Sequence, residues 1–337
     1  MHQMHGPADL FHKFVTDTRR EVAQPIFPGI PGGGEIAVRR KSFLSTLRLG
    51  MPMLTASMNR FLLAAAIGLV AVSTSVCAQE VKPLRVLLVT GGCCHDYEKQ
   101  HMILGEGISA RANVEFTFAH NADKTTKATF DLYKNKDWAK PFDVVIHDEC
   151  SADVTDKEYV GNILNAHKNG TPAVNLHCAM HSYRWGNFKE PVQPGADNAG
   201  WFEMLGLQST GHGPQEPIAI TYVDKAHPIV KGLADWTTIK EELYNNIQIL
   251  TGHPLAKGKQ SFKDKKTGEQ KEAETVVAWT NEFGPNKTKI FSTTVGHNND
   301  TVGDARYLDL ITRGVLWTAG KLDSEGKPLP GYGPKAK

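Results

Sequence analysis

Short apolar runs alternate with amphipathic stretches through the part of the chain that follows residue 80. The pattern predicts, in order, strand 84–90, helix 98–111, strand 114–119, strand 143–147, helix 156–168 and strand 173–176. Asp156 is a favourable N-cap residue for the second helix, and Gly170 follows its end. Strands that are separated by helices predict a parallel sheet with right-handed crossovers.

The second half of the chain has a different pattern. Alternating or apolar runs predict strands over 217–223, 275–279 and 289–294, and a periodic stretch predicts a closing helix over 304–319. The charged run 263–274 is typical of an exposed hairpin or loop. Residues 324–337 are rich in proline and are predicted to form a loose tail. We therefore expect one α/β domain over residues 79–323.

Residues 58–78 have the layout of a secretory signal peptide. Arg60 is followed by an apolar run over 61–72 and then by small residues up to Ala78. The apolar run is shorter than the ~20 residues of a membrane span, and an uncleaved anchor is the alternative. We expect an exported protein, periplasmic or extracellular, with no stable membrane span in its mature form. Residues 1–57, basic and rich in Pro and Gly, are predicted to be a disordered extension ahead of the true start.

Charge and cysteine content exclude some classes of protein. The formal net charge is +2, which argues against a nucleic-acid-binding surface. Cysteines follow the signal segment at positions 93, 94, 150 and 178, and these are too few for a disulfide scaffold in a domain of this size. Cys93 and Cys94 are not expected to bond each other, because disulfides prefer a wider Cα separation.

Reactive side chains follow several of the predicted strands directly. The segments are CCHD at 93–96, HDEC at 147–150, HCAMHSYRW at 177–185 and GHNN at 296–299. In open α/β sheets, ligands bind outside the carboxyl ends of the strands, and a nucleophile elbow is a strand-to-helix turn of this kind. The sequence therefore predicts the site at this edge of the sheet.

Five histidines lie at these strand ends or beside a glycine turn, and they suggest two kinds of chemistry. Imidazoles bind divalent metals such as zinc, and they also perform metal-free acid–base work near neutral pH. Both stay open, because the spacing has no HExxH-type signature. His95, His177, His212 and His297 are the candidate metal ligands, and His177 and His181 are candidate catalytic residues. No nucleotide cofactor is expected.

Polar and aromatic residues near the same strand ends suit a small carbohydrate ligand. A sugar presents hydroxyl groups together with apolar C–H faces, so amides, charged groups and aromatic rings all contribute to its binding. For Trp185 and Tyr244, simple packing of a loop is the alternative. The candidate binding residues are Asp96, Tyr97, Arg184, Trp185, Tyr244 and Asn298.

An ordered set of motifs resembles the ThuA-like (trehalose utilisation) family over nearly all of residues 84–321. The motifs are TGGCCHDY (90–97), HDECSADV (147–154), PAVNLHCAMHSYR (172–184), GHG (211–213), HPIVKGL (227–233), EELY (241–244) and TTVGHNND (293–300), before a final RGVLWTAG. Each motif is weak alone, but seven in this order are specific. The resemblance implies the fold of class I glutamine amidotransferases, a flavodoxin-like three-layer sandwich with a mostly parallel central sheet.

The resemblance also implies a sugar or an oxidised sugar as ligand and adds Glu242, in EELY, as a catalytic candidate. The chain departs from amidotransferases at one position. Where they carry a cysteine nucleophile after the central strand, this sequence has His177, and Cys178 follows one residue later. A glutaminase-like transferase that uses Cys178 is therefore only a distant third hypothesis.

Two hypotheses remain ahead of it. The first is an exported enzyme that acts on a carbohydrate or keto-sugar by hydrolysis or isomerisation. The second is a non-catalytic carbohydrate- or metal-binding module of the same fold. The density of titratable side chains at the strand ends favours the enzyme, because perturbed titratable groups concentrate at active sites.

Overall fold

The computed structural model describes residues 81–335. The predicted extension 1–57 and signal segment 58–78 lie outside the described residues. The elements are β1 (Leu84–Gly92), α1 (Tyr97–Ser109), β2 (Val114–Asn121), β3 (Val144–Cys150), α2 (Lys157–Lys168), β4 (Ala173–Leu176), α3 (Gly200–Leu205), β5 (Leu207–Tyr222), β6 (Trp236–Ile249), β7 (His253–Lys263), β8 (Gln270–Phe283), β9 (Thr288–Thr293), α4 (Asn299–Val302) and α5 (Ala305–Thr318), with short 3-10 helices at Asp131–Lys134 and His177–His181.

One half of the sheet is parallel and carries helices on both faces. Its strands lie in the order β2-β1-β3-β4-β9, and each neighbouring pair is parallel. This is the flavodoxin-like order, with β9 as the fifth strand. Strand β1 alternates between the two faces: Val86 and Leu88 pack with α1 and α5, whereas Leu87 and Val89 pack with α2 and α3. The predicted three-layer α/β arrangement is confirmed here.

The other half of the sheet is antiparallel, so the expected mostly parallel sheet is wrong. Strands β8, β7, β5 and β6 follow β9 in that order, and every pairing among them is antiparallel. Antiparallel neighbours need only a tight turn, whereas parallel neighbours need a long crossover. The sequence pattern missed β6 and β7 and located only the end of β5, because these strands mix polar and apolar residues. The charged run 263–274 contains the tip of the β7–β8 hairpin and the first residues of β8.

Aspartate side chains cap the N-terminal ends of two helices, and the predicted cap Asp156 is one of them. Asp156 caps α2, where its Oδ1 accepts hydrogen bonds from the backbone N–H groups of Glu158 and Tyr159 at 2.9 and 3.0 Å. Asp304 caps α5 in the same way through Arg306 N at 2.8 Å. These side chains satisfy N–H groups that have no partner inside the helix.

The segment predicted as a loose tail packs against the domain as far as it is described. The carbonyl oxygens of Tyr332 and Gly331 accept hydrogen bonds from the backbone N–H and the side-chain amide of Asn113, at 3.0 and 2.9 Å. Lys321 lies over the ring of Tyr332. In residues 81–335, no helix is both long enough and apolar enough to cross a membrane.

Candidate functional site

Three imidazoles meet beyond the carboxyl ends of the parallel strands. His95 follows β1, His177 follows β4 directly, and His297 follows β9. One ring nitrogen from each lies within 4.8 Å of the others. We call His95, His177 and His297 the three-histidine cluster. The expectation that the site lies at the carboxyl ends of the strands thus located residues that are far apart in sequence and adjacent in the fold.

The backbone at His177 forms the elbow that lifts this side chain out of β4. Leu176 is extended, and His177 has φ +41°, in the left-handed region that residues with a Cβ rarely adopt. Such strain persists where the surrounding structure holds it and is common at functional sites. Gly296 has φ +129°, and a Cβ there would lie 2.7 Å from Tyr307 Oη and 3.6 Å from His177 Cβ. A glycine is therefore required beside the elbow.

Each member of the three-histidine cluster has a buried ring nitrogen without a hydrogen-bond partner. His177 Nδ1 donates to Thr294 O at 2.6 Å, which leaves Nε2 free. His95 Nε2 contacts Cys178 Sγ at 3.0 Å, which leaves Nδ1. In His297, Nε2 contacts the Gln215 amide at 2.8 Å and Nδ1 has no partner. Buried polar atoms are nearly always paired, so three unpaired nitrogens at one place indicate a ligand site.

Glu242 supplies a carboxylate beside the cluster. Its oxygens lie 3.5 Å from His177 Nε2, 3.3 Å from His297 Nδ1 and 3.6 Å from His212 Nε2. Burial would raise the pKa of Glu242, but the imidazoles of His177 and His297, 3.5 and 3.3 Å away, and the charge of His212 outweigh it and lower that pKa well below its usual value. For His297, burial would lower the pKa, and Glu242 outweighs burial and raises it. Glu242 is therefore an ionised acceptor surrounded by imidazoles.

Two residues that the sequence analysis did not single out position this group. Glu241 is fully buried, and its carboxylate accepts from the backbone N–H groups of His297 and Asn298 at 2.9 and 3.0 Å. Gln215 donates to Glu242 Oε1 at 3.2 Å while it contacts His297. The acidic pair in EELY was a possible signal for Glu241, whereas nothing in the sequence pointed to Gln215.

A cavity of about 390 Å³ opens over His95 and His297. Three predicted binding residues, Asp96, Tyr97 and Asn298, line it, and Asp96 accepts a hydrogen bond from Asn299 at 2.9 Å. His120 also lines the cavity, although it carried no motif. The other lining residues are Gly92, Cys94, Glu98, Asn121, Ala122, Asp123, Lys124 and Asn299.

Tyr244 and His181 lie behind the three-histidine cluster. Their rings stack at 4.3 Å with an interplanar angle of 5°, and the Tyr244 ring is 4.8 Å from that of His177. His181 Nε2 also contacts Ser209 Oγ at 2.9 Å, and burial lowers the His181 pKa well below its usual value. His181 is therefore neutral and hydrogen-bonded. It packs against Tyr244, which in turn packs against His177.

The remaining predicted residues have contacts of their own. His212 is half-exposed and touches Glu242, but it lies outside the group of nitrogens that are within 4.8 Å. Arg184 lies over the ring of Phe188 at 4.3 Å. Trp185 donates its indole N–H to Asp197 at 3.1 Å. The structure therefore does not bring Arg184 and Trp185 to the lining of the cavity.

Four cysteines form a chain of sulfur atoms beside the cluster. Cys93 and Cys94 form a disulfide, so the expectation that they do not bond each other is wrong. Their Cα atoms are 3.7 Å apart, the ordinary spacing of neighbouring residues, and Cys94 has φ +86° in the turn after β1. Cys150 and Cys178 are buried free thiols. Hydrogen bonding to Cys150 and burial raise the pKa of Cys178 well above its usual value.

The sequence profile of one family, ThuA, described as trehalose utilisation, matches residues 85–318. This chain belongs to the ThuA family. No curated protein sequence matches it. The match covers every motif that carried the resemblance except the very end of the last helix segment, and it includes all residues of the candidate site.

Solved structures resemble this ThuA-family chain at low identity. A ThuA-like protein from Parabacteroides merdae is 21% identical with a TM-score of 0.51, over 76% of this chain and 98% of that one. A ThuA-like protein from Bacteroides uniformis is 17% identical with a TM-score of 0.47, over 73% and 96%. A β-galactosidase from Bacillus circulans sp. alkalophilus is 12% identical with a TM-score of 0.41, over 69% and 31%. At these identities the first likeness concerns the fold, and the other two carry no argument.

Proposed function

We propose that this ThuA-family protein is an enzyme that acts on a carbohydrate or keto-sugar, by hydrolysis or isomerisation, with a divalent metal such as zinc held by His95, His177 and His297. The observation that carries the proposal is the convergence of three imidazoles, which place one ring nitrogen each within 4.8 Å of the others and which each have a buried ring nitrogen without a hydrogen-bond partner. Zinc in catalytic sites takes three protein ligands of this type and keeps a further position open. The residues present therefore fit such an ion.

The residues around the cluster have defined parts in this proposal. A metal here supplies polarisation of a sugar carbonyl or activation of water. The Thr294 carbonyl accepts from His177 Nδ1 and thereby orients the ring and selects its tautomer. Glu242 lies within 3.6 Å of three imidazoles and would hold them in place by its negative charge, and its lowered pKa makes it a weak base towards substrate or water. Glu241 holds the loop that carries His297.

The cavity suits a sugar. Its volume lies within the range of small-molecule sites. Asp96, Asn298 and Asn299 offer carboxylate and amide groups for hydroxyls, and Tyr97 contributes an aromatic ring. The family description, trehalose utilisation, supports the same class of ligand.

Two other functions rank below this one. A non-catalytic module would keep the cavity and the metal but show no turnover. A glutaminase-like transferase needs Cys178 as a nucleophile that reaches the substrate. Cys178 is buried against Cys150 and Tyr97 and does not line the cavity, and the elbow position itself is occupied by His177.

We also propose export, with cleavage after Ala78, on the basis of the charged, apolar and small-residue segments over 58–78. Amino-terminal sequencing of the mature protein tests this. A mature chain that still contains residues 61–72 contradicts it.

The decisive experiment for the enzymatic proposal measures metal and turnover in one preparation. Elemental analysis after purification without chelator is expected to give about one ion per chain, by the ligand count of a single site. Turnover of a panel of disaccharides and keto-sugars is expected to stop with a chelator and return with zinc. A turnover rate that is unchanged by the chelator supports metal-free acid–base catalysis. Bound metal without turnover of any sugar supports the binding module.

A further inference from the structure

The four cysteines have no part in the proposed sugar chemistry, and their arrangement is that of a reactive set. Cys150 Sγ lies 3.4 Å from Cys93 Sγ and 3.0 Å from Cys178 Sγ. Cys150 therefore stands between a closed disulfide and a free thiol. Tyr97 packs against this sulfur cluster, which keeps the inner thiols buried.

The outer disulfide is open to small molecules, whereas the inner thiols are not. Cys94 is exposed and lines the 390 Å³ cavity, and Cys93 is half-buried. Cys150 and Cys178 have exposures of 3% and 6%. A low-molecular-weight thiol or disulfide in the cavity can thus reach the outer pair, and the inner pair exchanges only with the outer one.

We propose that Cys93, Cys94, Cys150 and Cys178 form a thiol–disulfide exchange site, in which the disulfide moves between the outer pair Cys93–Cys94 and the inner pair Cys150–Cys178. The ligands of this site are low-molecular-weight thiols and disulfides that enter the cavity. The proposal is independent of the sugar chemistry.

The exchange balances within the protein. Cys150 Sγ attacks Cys93 Sγ, the Cys93–Cys94 bond breaks, and Cys94 leaves with the electron pair and takes the proton that Cys150 has lost. Cys178 Sγ then attacks Cys150 Sγ, the Cys93–Cys150 bond breaks, and Cys93 leaves and takes the proton of Cys178. Two thiols and one disulfide exist before and after, so no external oxidant or reductant is consumed. Attack by a thiol on a disulfide through a mixed disulfide is the general route for such exchange.

The test maps disulfides in the full-length protein. The protein is equilibrated with a series of ratios of reduced to oxidised glutathione, quenched in acid, alkylated after unfolding and digested for mass spectrometry. In the singly oxidised protein, we expect a population in which Cys150 and Cys178 lose their alkyl labels and Cys93 and Cys94 gain them. Full alkylation of Cys150 and Cys178 at every ratio overturns the proposal, whatever the state of the outer pair.

Two variants separate the steps. Cys150→Ser is expected to keep the Cys93–Cys94 disulfide and to lose the exchange completely, with Cys178 always alkylated. Cys94→Ser removes the outer partner, and mild oxidation is expected to give an intramolecular disulfide of Cys150, either Cys93–Cys150 or, after the second step, Cys150–Cys178. This variant tests the sulfur approaches of 3.4 and 3.0 Å even if Cys150→Ser does not fold. A Cys94→Ser protein that oxidises only between molecules also overturns the proposal.

Discussion

Two histidine clusters in this protein differ in one respect, which is whether their ring nitrogens are paired. In the first, His147 Nδ1 contacts Glu149 at 2.9 Å, and its Nε2 contacts His167 Nε2 at 3.0 Å. His167 Nδ1 donates to Thr171 O at 2.7 Å. In the three-histidine cluster, every member has one nitrogen without a hydrogen-bond partner. We call His147 and His167, with Glu149, the buried histidine pair.

The difference separates a structural role from a ligand-binding role. An unpaired buried polar group costs about 1–3 kcal/mol, so packing alone does not maintain three of them at one point. The buried histidine pair satisfies its own nitrogens, with the hydroxyls of Tyr133 and Tyr183 also donating to Glu149 at 3.3 and 3.0 Å. No ring nitrogen of this pair is left for a ligand, and Glu149 Oε2 is its one carboxylate oxygen without a partner.

The largest expected effect is on stability, in the buried histidine pair. Glu149→Leu removes the acceptor for His147 and for the two tyrosine hydroxyls, and leaves these groups buried without a partner. We expect the free energy of unfolding to fall by about 3–5 kcal/mol, the range for removal of one member of a buried pair. Denaturant unfolding measures it. A loss below about 1 kcal/mol would remove the distinction between the two clusters.

The opposite result is expected in the three-histidine cluster. His177→Ala removes one of three ligand nitrogens and is expected to weaken zinc binding by about 100-fold or more, while the melting temperature stays within a few degrees, on the scale of changes of about 1 kcal/mol. Isothermal titration and thermal unfolding measure the two effects.

His253→Ala is the matched control for that substitution, because His253 is an exposed histidine that pairs with Asp224 and does not line the cavity over His95. It is expected to change neither zinc affinity nor melting temperature. His120 is unsuitable as a control, since it lines that cavity. Unfolding of His177→Ala, or unchanged zinc affinity, would show that the site is elsewhere.

A pH effect of intermediate size is expected from His167. Burial, and then the neighbouring His147, lower the pKa of His167 to about 3, against about 6.5 in the unfolded chain. Between these values the unfolded state binds more protons, so stability falls as pH falls through 6.5 and is retained above it. From pH 6.5 to 5 the loss is about 2 kcal/mol, at 1.36 kcal/mol per pH unit. Unfolding of His167→Gln at the same pH values is expected to show a shallower slope.

The smallest expected effect distinguishes His212 from His297. His212 contacts Glu242 at 3.6 Å but lies outside the nitrogen group, so His212→Ala is expected to change zinc affinity by less than about threefold, as for a neighbour beyond the ligands. His297→Ala is expected to lower it by about 10-fold or more. Equal losses in the two variants would make His212 a fourth ligand.

The parallel half of the fold was predictable because its signals are local. The buried strands β1, β3 and β4 are apolar runs that end in polar turns, and Asp156 and Asp304 mark the helix starts that they cap. The antiparallel half was not predictable, because β6 and β7 are partly exposed and their polar residues hide the alternation of apolar and polar positions that marks a strand. Pairing partners in a sheet depend on contacts between distant segments, which no local pattern contains.

The sequence by itself determined the ThuA family and placed histidines at strand ends, because motifs and short-range periodicity depend only on residues that are close together in the chain. Only the tertiary structure decided which histidines meet, that His147 and His167 satisfy each other, and that Cys150 lies between Cys178 and the Cys93–Cys94 disulfide. The physical reason is that hydrogen-bond satisfaction and sulfur–sulfur approach are set by distances of a few ångströms between residues that are tens of positions apart in the chain.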